Sequence, residues 1–232
     1  MMKLEMKKKF GFLVLIFSLI LNFFLYQNLQ KSEKSSDQDL VVEVLDGDTF
    51  VLQAKQRVRM LEMDAPEPDF CGGQEAKKRL EELILGKKVT LREILIDKYG
   101  RILALVYIND VFVNKVMLAE GQAMYIGPMT SQGKYLKKVY NEAKEAKLGI
   151  FGPECFQKEN IERPDCLIKG NLSQRGETLN RKIYHFPGCS GYSGVIIEKF
   201  RGEDWFCSES EAKKAGFRIS ENCFGKKYTP QE

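Results

Sequence analysis

The chain predicts an α+β fold, about five short strands with three helices, followed by a small cysteine-bearing unit. Three observations predict it. Short β-rich segments separated by Asp-Gly, Gly and Asn-Asp turns run from residue 41 to 113, and three stretches place apolar residues at helical spacing. After Pro153 the composition turns to Gly, Ser and Cys.

Val41 to Val44 and Thr49 to Leu52 are the first two strands, on either side of the turn Asp46-Gly47-Asp48. Val58 to Met63 is a third. From Gln74, apolar Ala76, Leu80, Leu83 and Ile84 form a helical stripe that Gly86 ends. Lys88 to Glu93 and Arg101 to Ile108 are again strands, the latter turning at Asn109-Asp110 into Val111 to Val113. A short helix, Asn114 to Glu120, stops at Gly121, and Tyr135 to Leu148 is a third helix closed by Gly149. The whole is about 120 residues, a usual size for one domain. Cys166 to Cys223 forms the second unit, where Ser208 and Glu211 make a capping box for a helix to Ala215. His185 and Trp205 read as packed aromatics of its core.

With 232 residues, 44% hydrophobic and 29% charged, the chain has enough apolar material for one large core or two small ones, which excludes wholesale disorder. Its net charge of +4 is concentrated at the start. Beyond residue 37 there are 30 basic against 29 acidic side chains, so affinity for phosphates must come from a local cluster of Arg and Lys. His185 is the only histidine, which removes two-histidine metal sites and paired-imidazole catalysis.

Lys3, Lys7, Lys8 and Lys9 precede an apolar run from Phe10 to Tyr26 broken only by Gly11, Ser18 and Asn22. At about 1.5 Å per residue the run spans roughly 25 Å, close to the hydrocarbon thickness of a bilayer. No small-x-small cleavage signal follows. The expectation is a basic stub and signal anchor over residues 1–27 with the basic end inside, or a secreted protein if the leader is cleaved. A polar linker occupies 28–39. With the body outside the cytoplasm, the six cysteines read as three disulfides whose pairing the residues alone leave open; in the cytosol zinc would weigh more.

Asp46, Asp48, Asp64 and Glu67 fall in two short segments, each a strand end running into a turn, where side chains are held rigidly yet exposed. Hard oxygen donors converging there suit Ca²⁺ or Mg²⁺. Arg59 lies in the same β segment as Asp64, and Arg101 ends Asp-Lys-Tyr-Gly-Arg. Two guanidinium groups beside a carboxylate-bound cation would clamp a phosphodiester and neutralise charge growing on its phosphorus. The alternative is that both arginines are surface ion-pair partners of the acids.

At these residues the sequence resembles the staphylococcal nuclease (thermonuclease) family. The similarity covers about Leu40 to Gly152 and includes the Asp-Ala-Pro-Glu turn, Asp-Lys-Tyr-Gly-Arg, Val113-Asn114 and the helix end at Leu148 to Gly152. It implies a five-stranded OB-fold barrel with three helices over residues 40–156. It also implies that Asp48, Asp64 and the backbone carbonyl of Ala65 bind Ca²⁺, with Asp46 supporting them from behind. Glu67 would position or deprotonate the attacking water, while Arg59 and Arg101 hold the phosphate and stabilise the transition state. Lys98 and Tyr99 would contact a nucleotide, and Tyr125, in the loop Tyr125-Ile126-Gly127-Pro128-Met129, is the remaining stacking candidate. Position 65 is Ala where a well-known member has Thr; a backbone ligand survives that change. The implied partners are DNA and RNA, single-stranded or frayed ends preferred, and the membrane through the leader, for a monomer. The alternative is a noncatalytic nucleic-acid or surface-binding protein on the same fold, against which stand the retained Asp48, Asp64, Glu67 and both arginines.

Extracellular relatives with cysteines at the places of Cys71 and Cys155 imply a disulfide between these two. Residues 160–225 resemble the short sunset module that trails many bacterial secreted nucleases, ahead of a tail at 226–232. Related modules favour Cys166 with Cys207 and Cys189 with Cys223. A weaker similarity to the zinc-bearing end of a DNA-repair protein keeps a four-thiolate site open, although no Cys-x-x-Cys knuckle is present.

Overall fold

A computed structural model describes residues 18, 21–23, 39–173 and 181–228. All but four residues of the expected anchor, most of the linker and the end of the tail lie outside the described residues. No helix among the described residues is long and apolar enough to cross a membrane. The chain divides into a unit ending at Gln38 and one beginning at Asp39.

In the second unit, β1 (Asp39–Val44), β2 (Thr49–Leu52), β3 (Arg57–Met60), β5 (Lys88–Ile96), β6 (Ile102–Ile108) and β7 (Val111–Phe112) form a sheet in the order β3-β2-β1-β5-β6-β7. Neighbours in that order run antiparallel, and β3 also meets β6 in parallel, Arg59 opposite Leu103. That contact closes β1, β2, β3, β5 and β6 into the expected five-stranded barrel. Alternation fills it: along β3 Val58 and Met60 are buried while Arg57 and Arg59 point away from the core. Helices α1 (Gly73–Ile84), α2 (Val113–Ala119) and α3 (Gly133–Glu145) cover the barrel, α1 through Ala76, Leu80 and Ile84 and α3 through Leu136, Val139 and Ala143.

The predicted strand Val58 to Met63 is two pieces. The chain leaves β3 at Leu61, Glu62 takes a left-handed φ of 61°, and Met63–Asp64 (β4) pairs instead with Met124–Tyr125 (β8). A kink at Glu62 is what turns Asp64 away from the barrel wall and into the following turn.

The C-terminal residues build a four-stranded sheet in the order β13 (Asp204–Phe206), β10 (Ile168–Leu172), β11 (Lys182–His185), β14 (Arg218–Ile219). Helix α4 (Glu209–Lys214) covers one face and is capped by Ser208, whose Oγ accepts from the Glu211 N–H at 3.1 Å. His185 and Trp205 are both buried, but neither joins the apolar cluster beneath α4.

This module is packed onto the nuclease-like part along a seam. There β9 (Phe156–Gln157) pairs with β12 (Ile197–Glu198), and Phe200 joins Ile150, Phe151 and Cys155 in one apolar cluster. The Trp205 indole N–H donates to Gln157 Oε1 at 2.8 Å. Gly202 sits under Phe70, so close that a Cβ there would stand 2.7 Å from the ring. Disulfides join Cys71 to Cys155, Cys166 to Cys207 and Cys189 to Cys223, and no cysteine among the described residues is free.

Candidate active site

The site forms where the β1–β2 turn meets the turn after β4. Thr49 is the register partner of Arg59 across β2 and β3, which brings Asp48 beside the arginine. Arg59 Nη1 donates to Asp48 Oδ1 at 2.8 Å, and Nη2 donates to Asp64 Oδ1. One guanidinium therefore bridges the two carboxylates. Asp48 is only 2% exposed and has no unsatisfied oxygen: the Thr49 hydroxyl donates to Oδ1 at 2.8 Å and the Ala65 N–H to Oδ2 at 2.9 Å. Asp46 Oδ1 accepts the Asp48 N–H at 2.9 Å and fixes the turn. Asp64 is more open, its side chain 42% exposed.

Close approach of the two turns depends on glycines. A Cβ on Gly47 would lie 2.6 Å from the Cβ atoms of both Ala65 and Ala76. At Gly73 it would lie 2.0 Å from the Glu67 carbonyl oxygen. Gly73 thus lets α1 begin directly against the Glu67 turn, which presents the Glu67 side chain to solvent.

Burial pushes the Asp48 carboxyl up to about 7; Arg59 pulls it the other way, and neighbouring Asp46 adds to the rise. Burial alone would lower Arg59, but Asp48 and Asp64 outweigh it and hold the guanidinium in its charged form. Three carboxylates thus share one cation. The donor set is hard oxygen throughout, and its carboxylates outnumber the positive charge beside them, so the chemistry fits a divalent cation. Among the described residues no group of three or more His, Cys, Asp or Glu is arranged as a metal site. Asp48 and Asp64 would hold the ion as a pair, with the carbonyl of Ala65 and solvent completing the shell.

Arg101 is not gathered onto the carboxylate pair. Its Nε donates to Asp97 Oδ2 at 2.8 Å and its backbone N–H to Asp97 Oδ1 at 2.9 Å. Its guanidinium carbon lies 5.6 Å from the centre of the Tyr99 ring, over which the Lys98 amine also sits at 4.9 Å. Slight burial opposes it, but the hydrogen bonds from Arg101 hold the Asp97 carboxyl below its usual range. The hairpin Asp97–Arg101 is thereby a preset unit, with Tyr99 71% exposed and both Arg101 Nη atoms unengaged among the described residues. Tyr125 faces inward: its hydroxyl is buried without a partner and its ring packs 6.3 Å from that of Tyr140. Ile126 and Met129 are the exposed side chains of its loop.

Sequence reasoning missed the groups that hold this arrangement. Thr49 steadies Asp48. Asn114, fully buried, donates to the Leu61 carbonyl at 2.9 Å and accepts the Val106 N–H at 2.8 Å, tying β6 to the segment that leads to Asp64. Glu62, also fully buried, accepts the N–H groups of Met129 and Thr130 through Oε1 and so fastens the 125–131 loop to that segment. An acidic side chain between apolar Leu61 and Met63 was the available signal.

The family profile described as staphylococcal nuclease homologue matches residues 57–152. An uncharacterized endonuclease of Escherichia coli is 36% identical over 115 residues, which span 48% of this chain and 74% of that protein. A micrococcal nuclease of Shigella flexneri is 35% identical over 126 residues, 48% of this chain and 71% of its own length. A probable staphylococcal-like nuclease of Oryza sativa subsp. japonica is 30% identical over 126 residues, 54% of this chain and 33% of its own length.

Proposed function

Because the chain belongs to the staphylococcal nuclease family, we propose that it hydrolyses phosphodiester bonds of DNA and RNA in a Ca²⁺-dependent reaction. The observation that carries this reading is the bridge of Arg59 between Asp48 and Asp64, with Glu67 exposed in the adjoining turn. A bound Ca²⁺ would supply a Lewis acid that withdraws charge from the scissile phosphate. Arg59, already desolvated and aimed outward by its β3 position, orients a phosphate oxygen. Arg101 offers two free Nη donors from the Asp97-braced hairpin, a fork that fits a phosphate and stabilises the charge that grows there. Glu67 accepts the proton of the attacking water, since its exposed side chain has no competing hydrogen bond among the described residues and follows Asp64 by three positions. Exposed Tyr99, with Lys98 beside it, contacts the nucleotide next to the cleaved bond, while Tyr125 shapes the opposite loop.

We further propose that the body lies outside the cytoplasm, anchored by residues 1–27 or released after their removal, and acts as a monomer. Three disulfides support an oxidising compartment. The test is incubation of the full chain with short single-stranded DNA in Ca²⁺ and in chelator. Cleavage in Ca²⁺ alone is expected; cleavage that persists in chelator overturns the metal assignment, and a chain that binds the strand but never cuts it is a binding protein.

A further inference from the structure

The C-terminal module contains a cavity of about 520 Å³ on the sheet face opposite α4, lined by Asn171, Arg181, His185, Arg218, Glu221 and Phe224 among others. Register explains the face. Asn171 is paired with Ile183 and Lys169 with His185 across β10 and β11, so these residues share one side, while Tyr184 points to the core beneath α4. Two polar atoms in this cavity are buried with no hydrogen-bond partner among the described residues: His185 Nδ1, on a residue 4% exposed, and Asn171 Oδ1. Leaving such groups without a partner is destabilising, the more so in a module with so small a core.

The basic groups around them differ in what they hold. Lys169 is engaged, its amine donating to the Val195 carbonyl at 2.7 Å and lying over the Tyr192 and Trp205 rings. Arg163 and Arg201 pair with Glu211 and Glu198. Arg181 and Arg218 form no ion pair among the described residues. Phe224 is 65% exposed, at the end of the turn Glu221–Cys223 that the Cys189–Cys223 bond fixes. Burial, with the Lys169 charge second, holds the imidazole below its usual pKa and therefore neutral, able to present Nδ1 as donor or acceptor.

We propose that this cavity binds one unstacked nucleotide of a nucleic-acid strand, its base against Phe224 with polar edge toward Asn171 and His185, and its phosphate between Arg181 and Arg218. An exposed aromatic on a rigid turn offers a stacking platform, and two unpaired arginines track a backbone. Asn171 Oδ1 requires a donor, which a base edge provides and a bare phosphate does not. Glu221 on the rim disfavours a compact polyanion and accepts a base amino group. The module thus acts as a second hold on the strand that the barrel cuts, an inference that rests on the nuclease reading for its choice of ligand.

His185 is the sole histidine, so its imidazole resonances report on this cavity alone. The full chain, labelled at histidine and kept in chelator to prevent cleavage, is titrated with a short single-stranded DNA of mixed sequence and, separately, with deoxycytidine monophosphate. Saturable shifts of the His185 signals are expected, with affinity about ten-fold weaker in the Arg181→Ala/Arg218→Ala double variant and in Phe224→Ala, about 1.4 kcal/mol, and retained in Phe224→Tyr. Saturation by the strand at far lower concentration assigns the cavity to the substrate; equal saturation by the mononucleotide assigns it to free nucleotides. His185 signals that stay still while the strand saturates the protein, or that move equally in the arginine variant, overturn the proposal and leave a peptide or glycan ligand. Hydrolysis in Ca²⁺ is measured alongside: a responsive His185 without hydrolysis sinks the nuclease reading and not the cavity, and hydrolysis with a silent His185 does the reverse.

Discussion

Gly47 lies so close to Ala76 that a methyl group on it would stand 2.6 Å from the alanine's own Cβ, and equally near that of Ala65. The three positions belong to the Asp46–Asp48 turn, the turn after Asp64 and helix α1. Their contact sets the separation of the Asp48 and Asp64 carboxylates. Gly47→Ala should therefore cost about 1–3 kcal/mol through overpacking and should also lower kcat, because the Asp48 turn must move away from Asp64. Denaturant unfolding and steady-state hydrolysis measure the two effects; a variant with wild-type turnover would show that the turns have slack.

Glu62 makes a different kind of demand. It occupies a left-handed conformation and its Oε1 takes the N–H groups of Met129 and Thr130. Glu62→Gly should relieve the backbone by about 1 kcal/mol and lose the two hydrogen bonds, whereas Glu62→Ala should lose the hydrogen bonds and keep the strain. We expect Glu62→Ala to be destabilised by about 2–3 kcal/mol and Glu62→Gly by less. Faster amide exchange at Met129 and Thr130 in both variants would locate the loss in the loop; unchanged exchange would refute the clamp.

Much of the barrel was legible because its strands alternate. Val58 and Met60 inward with Arg57 and Arg59 outward is a pattern that period two explains, and the Thr49–Arg59 register follows once the β2–β3 hairpin is set. Asp48 beside Arg59 is then a local consequence. The left-handed Glu62 that splits the third strand was not legible, since nothing in its composition forbids an extended backbone there. Nor was the Arg101–Asp97 brace, which holds Nε and the backbone N–H of the arginine and leaves its two Nη atoms to the phosphate role read from the same motif. Contacts between distant residues were hidden altogether. Phe70 over Gly202 and Trp205 against Gln157 join a segment near the active site to a module that composition had set apart.

Different roles for two acids of the site should separate in one experiment. Asp48 is buried among donors, and Glu67 is exposed in the turn. Asp48→Ala should lose both Ca²⁺ affinity, read by calorimetry, and turnover. Glu67→Gln should keep Ca²⁺ affinity while kcat falls about 10²-fold or more, as removal of a general base does. Arg101→Ala should cost about 3 kcal/mol of transition-state stabilisation. Equal loss of Ca²⁺ affinity in Asp48→Ala and Glu67→Gln would show the roles are misassigned.

Glu203 gives the module a pH dependence. It is buried, accepts the N–H groups of Leu172 and Glu198 at 2.8 Å each, and burial pushes its carboxyl from 4.5 up to about 7. Between those values the folded protein retains a proton that the unfolded chain has released. Its stabilising contribution is therefore complete below about 4.5 and is lost as pH rises through about 7. The difference in unfolding free energy between wild type and Glu203→Gln, followed from pH 4 to 8, should change in that window. Parallel pH profiles would mean that Glu203 titrates alike in both states.

The seam between barrel and module yields the last prediction. Phe200 is 2% exposed, meets the Phe151 ring edge-on at 6.1 Å and packs with Ile150 and Cys155. Phe200→Ala should cost about 3–5 kcal/mol, although the residue touches none of Asp48, Arg59, Asp64, Glu67 or Arg101. Turnover on short oligonucleotides, measured well below the melting temperature, should be unchanged. A chain ended after Cys155 loses more: Phe200, the whole β9–β12 pair and the Trp205–Gln157 bond go together, leaving Ile150 and Phe151 open to water. It should melt lower than Phe200→Ala while its folded fraction still cleaves, because every proposed catalytic group precedes the cut. A truncated chain as stable as the whole would show that the seam contributes nothing, and a folded but inactive one that the module completes the active site.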